Sequence, residues 1–146
     1  VIARCFSFIG PGLPSDANYA IGNFIGDVLA GRKIFVRGRG SEERSYLYTS
    51  DLVAWLWSLL VRGQSGSIVN VGSDVAYSIA EVARLVSEVL GGTGIDINGE
   101  GFTGNTAASY VPSVVTAQEL YGLTQNVGLE ESVRRTAICC GWLAEN

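Results

Sequence analysis

Histidine and methionine are absent from this 146-residue sequence, and lysine occurs once, at Lys33. Without histidine the chain can build no Ser-His-Asp or Cys-His catalytic arrangement and no histidine-containing zinc site. Cysteine is scarce and odd in number. Cys5, Cys139 and Cys140 lack C-x-x-C spacing, which predicts reduced thiols buried as small hydrophobes in a cytoplasmic protein. Charge is thin as well, at 16% of residues against a usual share of about 25%. The net charge of −4 argues against nucleic acid or an anionic membrane as a partner. No run reaches the 18 or so apolar residues of a membrane span, the longest candidate being LVAWLWSLLV from position 52. A basic n-region and a small-residue cleavage site are missing too, so a secretory signal is not expected. The chain opens at Val1 on an apolar run, which predicts a piece of a longer polypeptide.

What is present is apolar surface and glycine: 47% of residues are hydrophobic and nineteen are glycine. A chain of this length is one domain by default and buries about 68–70% of its unfolded surface, so disorder is excluded. VIARCFSF reads as a buried strand and GPGLPS as the turn after it. Ile21, Phe24, Ile25, Val28 and Leu29 recur at helical spacing, with Asp16 placed to cap and Gly31 to stop the helix. IFV at 34–36 and RSYLYT at 44–49 read as strands on either side of a hairpin-like RGRGSEE turn. Asp51 is placed to cap a helix with Leu52, Trp55, Leu56, Leu59 and Leu60 on a wide apolar face. SIVNV predicts a further strand, and Ser78-Ile79-Ala80-Glu81 is a capping box before a long apolar helix that stops at Gly91-Gly92. A short strand IDIN, a loosely structured 99–109, a helix near 114–121 behind Ser113 and a last helix near 129–143 complete the chain. Strands and helices interleave, so the fold class is α/β with α+β character.

Three features could carry chemistry. GEGFTG at 99–104 has the spacing of a dinucleotide-binding G-x-G-x-x-G, but it opens no helix, and Pro112 arrives eight residues later, so it reads as a plain mobile loop. Arg44 at the root of a strand can hold a phosphate in bidentate geometry, or else pair with Glu42, Glu43 or a distant carboxylate. Asp51 reads as a helix cap rather than an acid.

Taken in order, ARCFSFIGPG, AIGNFIGDVLAG, IFVRGRGSEERSYLYTSDL, IVNVGS, SIAEVARLVSEVL, SYVPS and the closing LEESVRRTA resemble the C-terminal half of extended short-chain dehydrogenase/reductases acting on nucleotide sugars. Within that group the dTDP-glucose 4,6-dehydratase and NAD-dependent epimerase/dehydratase branch is the nearest likeness. The resemblance implies an N-terminal Rossmann domain that binds NAD, followed by a smaller domain that clamps a nucleotide-diphosphate sugar. Residues 1–146 would then form a single C-terminal substrate-binding domain, with 1–11 resembling a late strand and motif of the Rossmann domain.

Carried over residue by residue, Arg4 to Pro11 look like the family's R-x-x-N-x-Y-G-P segment at the cleft, with Ser7 on the substrate side and Gly10 and Pro11 toward the cofactor. Phe35 and Val36 resemble the strand whose backbone meets the nucleotide base. Arg44 looks like the arginine that grips the diphosphate, and Asn70 belongs to the N-V-G-S strand end. The sequence also departs from the pattern: Ser7 and Ile9 stand where the family has asparagine and tyrosine, and Ser109 and Ser113 where it has arginine and aspartate. The catalytic Y-x-x-x-K pair is missing, since Leu29 stands four residues before the only lysine.

These matches predict the nucleotide-sugar-binding portion of a cytoplasmic NAD-dependent dehydratase or epimerase. Its NAD-binding and acid/base half would lie upstream, and no cofactor is expected on this portion alone. The alternative is a stand-alone, non-catalytic binding or assembly module. Either way, surplus apolar surface near Val1 to Ile9 and on the helix faces is expected to face the Rossmann domain or to drive self-association.

Overall fold

Two apolar clusters share one extended stretch of chain. In extended backbone successive side chains point to opposite sides, and positions 46–48 use this: Tyr46 and Tyr48 enter one cluster while Leu47 enters the other. The computed structural model describes residues 1–15, 19–99 and 108–142. Its elements run β1 Ile2–Cys5, β2 Phe8–Ile9, α1 Ala20–Leu29, β3 Ile34–Arg37, β4 Glu43–Arg44, β5 Leu47–Tyr48 and α2 Thr49–Arg62. They continue with β6 Ile68–Val71, β7 Tyr77–Ser78, α3 Ile79–Leu90, β8 Ile95–Asn98, β9 Ser109–Tyr110, α4 Val115–Tyr121 and α5 Leu129–Cys139. The α/β class with short parallel strands is therefore as expected.

The larger cluster is built on α3, which packs against both α1 and α5. Helix α3 forms because its start and stop are written locally. The Ser78 hydroxyl accepts the Glu81 N–H at 3.2 Å, and the Glu81 carboxylate accepts the Ser78 N–H at 2.7 Å. That hydrogen bond to the backbone of Ser78 holds the Glu81 carboxyl below its ordinary range. Gly91 ends the helix in the left-handed conformation, at φ +70°. Ala80, Val82, Ala83, Val86 and Leu90 fill one face of it. They meet Ile21, Phe24 and Ile25 of α1, Val133 and Ala137 of α5, and the inward residues Ile34 and Val36 of β3.

The smaller cluster gathers Leu47, Trp55, Leu59, Val69, Val71, Val114, Ala117, Tyr121 and Leu123 between α2, β6 and α4. The Trp55 indole N–H reaches the Thr124 carbonyl at 3.2 Å, so the ring is buried without an orphaned donor.

Strand pairing is divided into short ladders. β1 pairs with β6, β2 with β5 and β3 with β8, all parallel, while β4 lies between antiparallel β7 and parallel β9. Parallel pairs normally have both faces covered, yet Ile2 and its register partner Ile68 are 61% and 51% exposed. Val53, Trp57, Leu60 and Val61 of α2 are exposed in the same manner.

Several local expectations are corrected. The hairpin across RGRGSEE is absent, because β3 pairs with β8 and β4 with β7 and β9. The expected strand 44–49 is broken into β4 and β5, and helix begins at Thr49. Asp51 lies inside the first turn of α2 and is not its cap, which is Tyr48. Ser113 does not cap α4 either, that position falling to Val114. Strand β1 is mostly exposed rather than buried. All three cysteines are free but exposed, because Cys5 lies on that open strand and Cys139 and Cys140 at the outer end of α5. Asp16 and most of GEGFTG fall outside the described residues.

Candidate functional site

A cavity of about 720 Å³ opens where the loop after β2 meets the starts of α1 and α2. This is within the usual size of a small-molecule site, about 300–1,000 Å³. Gly10 makes the close approach: a Cβ there would stand 2.1 Å from Thr49 Oγ1, so only glycine lets the loop lie against the first residue of α2. Gly10, Pro11, Leu13, Ile21 and Leu52 give the walls an apolar character, with hydroxyls at Ser7, Thr49, Tyr19, Tyr46 and Tyr110.

Arg44 is the one charged side chain among the described lining residues. Its Nη1 donates to the Glu43 carbonyl at 2.7 Å and, more weakly, to the Ala108 carbonyl at 3.4 Å. Its Cζ stands 6.0 Å from the centroid of the Tyr110 ring, which in turn lies 4.8 Å from the Phe6 ring. Among the described residues no carboxylate pairs with it. Two residues on, and facing the same cavity, the Tyr46 phenol is pushed up to about 12 by burial, an effect that the nearby Arg44 charge opposes. It therefore remains a protonated donor at any neutral pH. The site pairs one uncompensated guanidinium with several hydroxyls in an apolar enclosure, a donor set matched to a phosphate or diphosphate.

Of the residues expected from the sequence, Ser7, Gly10, Pro11 and Arg44 come together here. Phe35 and Val36 do not line the cavity: on β3, Phe35 is 52% exposed and Val36 is packed into the core. Asn70 is occupied elsewhere, its amide donating to the Ser113 carbonyl at 2.9 Å and tying β6 to the approach to α4. Sequence reasoning missed Tyr46, Thr49, Phe6 and Tyr110. Tyr46 was legible in principle, since in an extended stretch it shares a face with Arg44. Asp51 does not line the cavity: it is buried and accepts from the backbone N–H groups of Asn126 and Val127, each at 2.9 Å. It thereby fastens the loop before α5 to the start of α2.

None of the described helices opens directly on a G-x-G-x-x-G loop. The N-terminus of α3 is closed by its own capping box, Tyr19 and Tyr48 precede α1 and α2, and Glu130 and Glu131 stand in the first turn of α5. Lys33 is exposed and lies 3.7 Å from Asp96, away from the cavity. No step through NAD is derived for this chain.

The fold is that of part of a Rossmann-type α/β protein. Residues 1–72 match the family described as NAD dependent epimerase/dehydratase, in line with the resemblance to extended short-chain dehydrogenase/reductases. It is 32% identical over 135 residues to UDP-glucuronic acid decarboxylase 1 of Xenopus tropicalis, covering 92% of this chain and 32% of that protein. An epimerase of Methanothermobacter thermautotrophicus superposes with a TM-score of 0.83 at 25% identity, over 95% of this chain and 42% of the other. The UDP-glucuronic acid 4-epimerase of Bacillus cereus, solved with UDP-glucuronic acid and NAD, gives 0.80 at 18% identity, over 97% of this chain and 45% of the other. The chain thus spans about a third of the curated relative's length. That relative is a decarboxylase, so a dTDP-glucose dehydratase is one branch of the likeness rather than its centre. Among the described residues no helix is long and apolar enough to cross a membrane.

Proposed function

We propose that this chain is the nucleotide-sugar-binding portion of a cytoplasmic NAD-dependent dehydratase, epimerase or decarboxylase, and that the cavity beside Arg44 receives the diphosphate of a nucleotide-diphosphate sugar. The observation that carries the reading is the lone guanidinium, unpaired with any described carboxylate, in a cavity otherwise lined by apolar groups and hydroxyls. Arg44 supplies charge and direction, Tyr46 and Ser7 supply hydrogen bonds, and Gly10 and Pro11 form the wall that a cofactor-bearing partner would face. Phe35, Val36 and Asn70 keep no direct role in this cavity.

The uncovered β1–β6 pair and the apolar outer face of α2 support the second half of the proposal. A Rossmann part carrying NAD and the acid/base residues packs there and completes the parallel sheet. By itself the chain orients substrate and performs no turnover. Calorimetry on the purified chain tests this, with saturable binding expected for a nucleoside diphosphate, offered as UDP and as dTDP, and none for NAD. Turnover of a nucleotide sugar, or NAD binding by the isolated chain, would contradict the division of labour.

The serines at 7, 109 and 113 favour a second reading, a non-catalytic binding or assembly module, because three polar positions depart from the family pattern together. Under that reading the exposed apolar surface is buried by self-association. A monomeric mass in light scattering at micromolar concentration speaks against it.

A further inference from the structure

Three chain segments far apart in sequence meet at the rim of the cavity, each through one side chain: Phe6 after β1, Arg44 in β4 and Tyr110 in β9. The Phe6 and Tyr110 rings are tilted by 35° with centroids 4.8 Å apart, and the Arg44 guanidinium carbon lies 6.0 Å from the Tyr110 centroid. Strand β9 is only two residues long and joins β4 in register, Arg44 opposite Tyr110. That pairing sets ring and guanidinium side by side. The Ala108 carbonyl, one residue before β9, also accepts from Arg44, so the same short segment holds the cation twice.

An arginine with an uncompensated charge on a long side chain samples many rotamers, and ordering it at the moment of binding costs affinity. A π-face at cation–π distance narrows that choice without neutralising the charge, which a carboxylate would do. Phe6 backs the Tyr110 ring from the β1 side, so the platform is itself supported by the loop that walls the cavity.

We infer that Tyr110 is a positioning residue for phosphate recognition: through its ring it presents the Arg44 guanidinium to the diphosphate of the bound nucleotide. This rests on the reading that the cavity binds a nucleoside diphosphate. Tyr110 is 48% exposed and belongs to neither apolar cluster, so its removal leaves the cores intact.

The test is a calorimetric titration of UDP, with uridine as the uncharged comparison, on the wild-type chain and on Arg44→Ala, Tyr110→Ala, Tyr110→Phe and the double alanine variant. Tyr110→Ala is expected to weaken UDP binding about three- to fivefold. Uridine binding should be unchanged, and Tyr110→Phe, which keeps the ring, should restore UDP affinity to within about twofold of wild type. In the Arg44→Ala background the further Tyr110→Ala change should cost nothing, because the group it positions is gone. The inference is overturned if Tyr110→Ala leaves UDP affinity unchanged, if Tyr110→Phe loses as much as Tyr110→Ala, or if Tyr110→Ala still weakens binding without Arg44. If Arg44→Ala itself leaves UDP binding intact, the binding reading falls and takes this inference with it. A loss at Arg44 with none at Tyr110 removes only the inference.

Discussion

Helix α3 turns Ala80, Val82, Ala83, Val86 and Leu90 inward and Glu81, Arg84 and Glu88 to solvent, whereas α2 buries Asp51, Trp55 and Leu59 and still presents Val53, Trp57, Leu60 and Val61 outward. The first is the stripe of a helix with one partner surface, and the second is the pattern of a helix covered on more than one side. Their surroundings differ in step. Around α3 the core closes against α1 and α5, while α2 lies in the same region as a two-stranded parallel pair whose outward isoleucines are open. The four most exposed large hydrophobic side chains, Ile2, Trp57, Leu60 and Val61, all lie on β1 and α2, and the cavity with Arg44 opens at the start of α2.

The largest test of this contrast stays within α2. Trp55→Ala should cost about 3–5 kcal/mol in urea unfolding, the usual penalty for emptying a buried aromatic site. Asp51→Ala comes next, at about 3 kcal/mol, because it leaves two backbone N–H groups of the 126–127 loop without their acceptor. A cost near zero would mean that the loop does not depend on this anchor. A smaller effect, about 1 kcal/mol, is expected for Ser78→Ala at neutral pH, where the capping box is intact. The Glu81 carboxyl is held below its ordinary value of 4.5 in the fold. Its contribution is therefore complete above about pH 4.5 and is lost as pH falls through the lower folded value. The difference in melting temperature between wild type and Ser78→Ala should accordingly narrow on acidification, and a gap that widens would reverse the sign of the argument. Smallest of all, Trp57→Ser should change stability by no more than about 0.5 kcal/mol. If it destabilised the chain as much as Trp55→Ala, the division of α2 into a packed and an open face would be wrong.

The legible parts of the fold were those written within a few residues. The capping box of α3, its stop at Gly91, the short strand at β3 and the helical spacing of α1 all need only near neighbours, and all are present. Asp51 shows where local reading stops. A carboxylate at a helix start has the signature of a cap, yet its partners lie 75 and 76 positions away, and only the fold brings them into reach. The hairpin expected between 34 and 49 failed for the same reason, since the glycine-rich turn was visible and the competing partners β8 and β9 were not. In the site, Arg44, Ser7, Gly10 and Pro11 were found by family likeness. Phe35, Val36 and Asn70 came from the same likeness and lie outside the cavity. Tyr110 lies in the SYVPS string of the likeness, but its role was not legible there, because it arises from a two-residue pairing with β4.

The central claim is that Arg44 makes this cavity a diphosphate site, and the most direct measurement is the ratio of UDP to uridine affinity in the wild-type chain and in Arg44→Ala. Wild type should prefer UDP clearly, and Arg44→Ala should lose at least about tenfold in UDP affinity while keeping its hold on uridine, in line with the loss of a charge-assisted contact. Equal UDP affinity in both proteins would contradict the account.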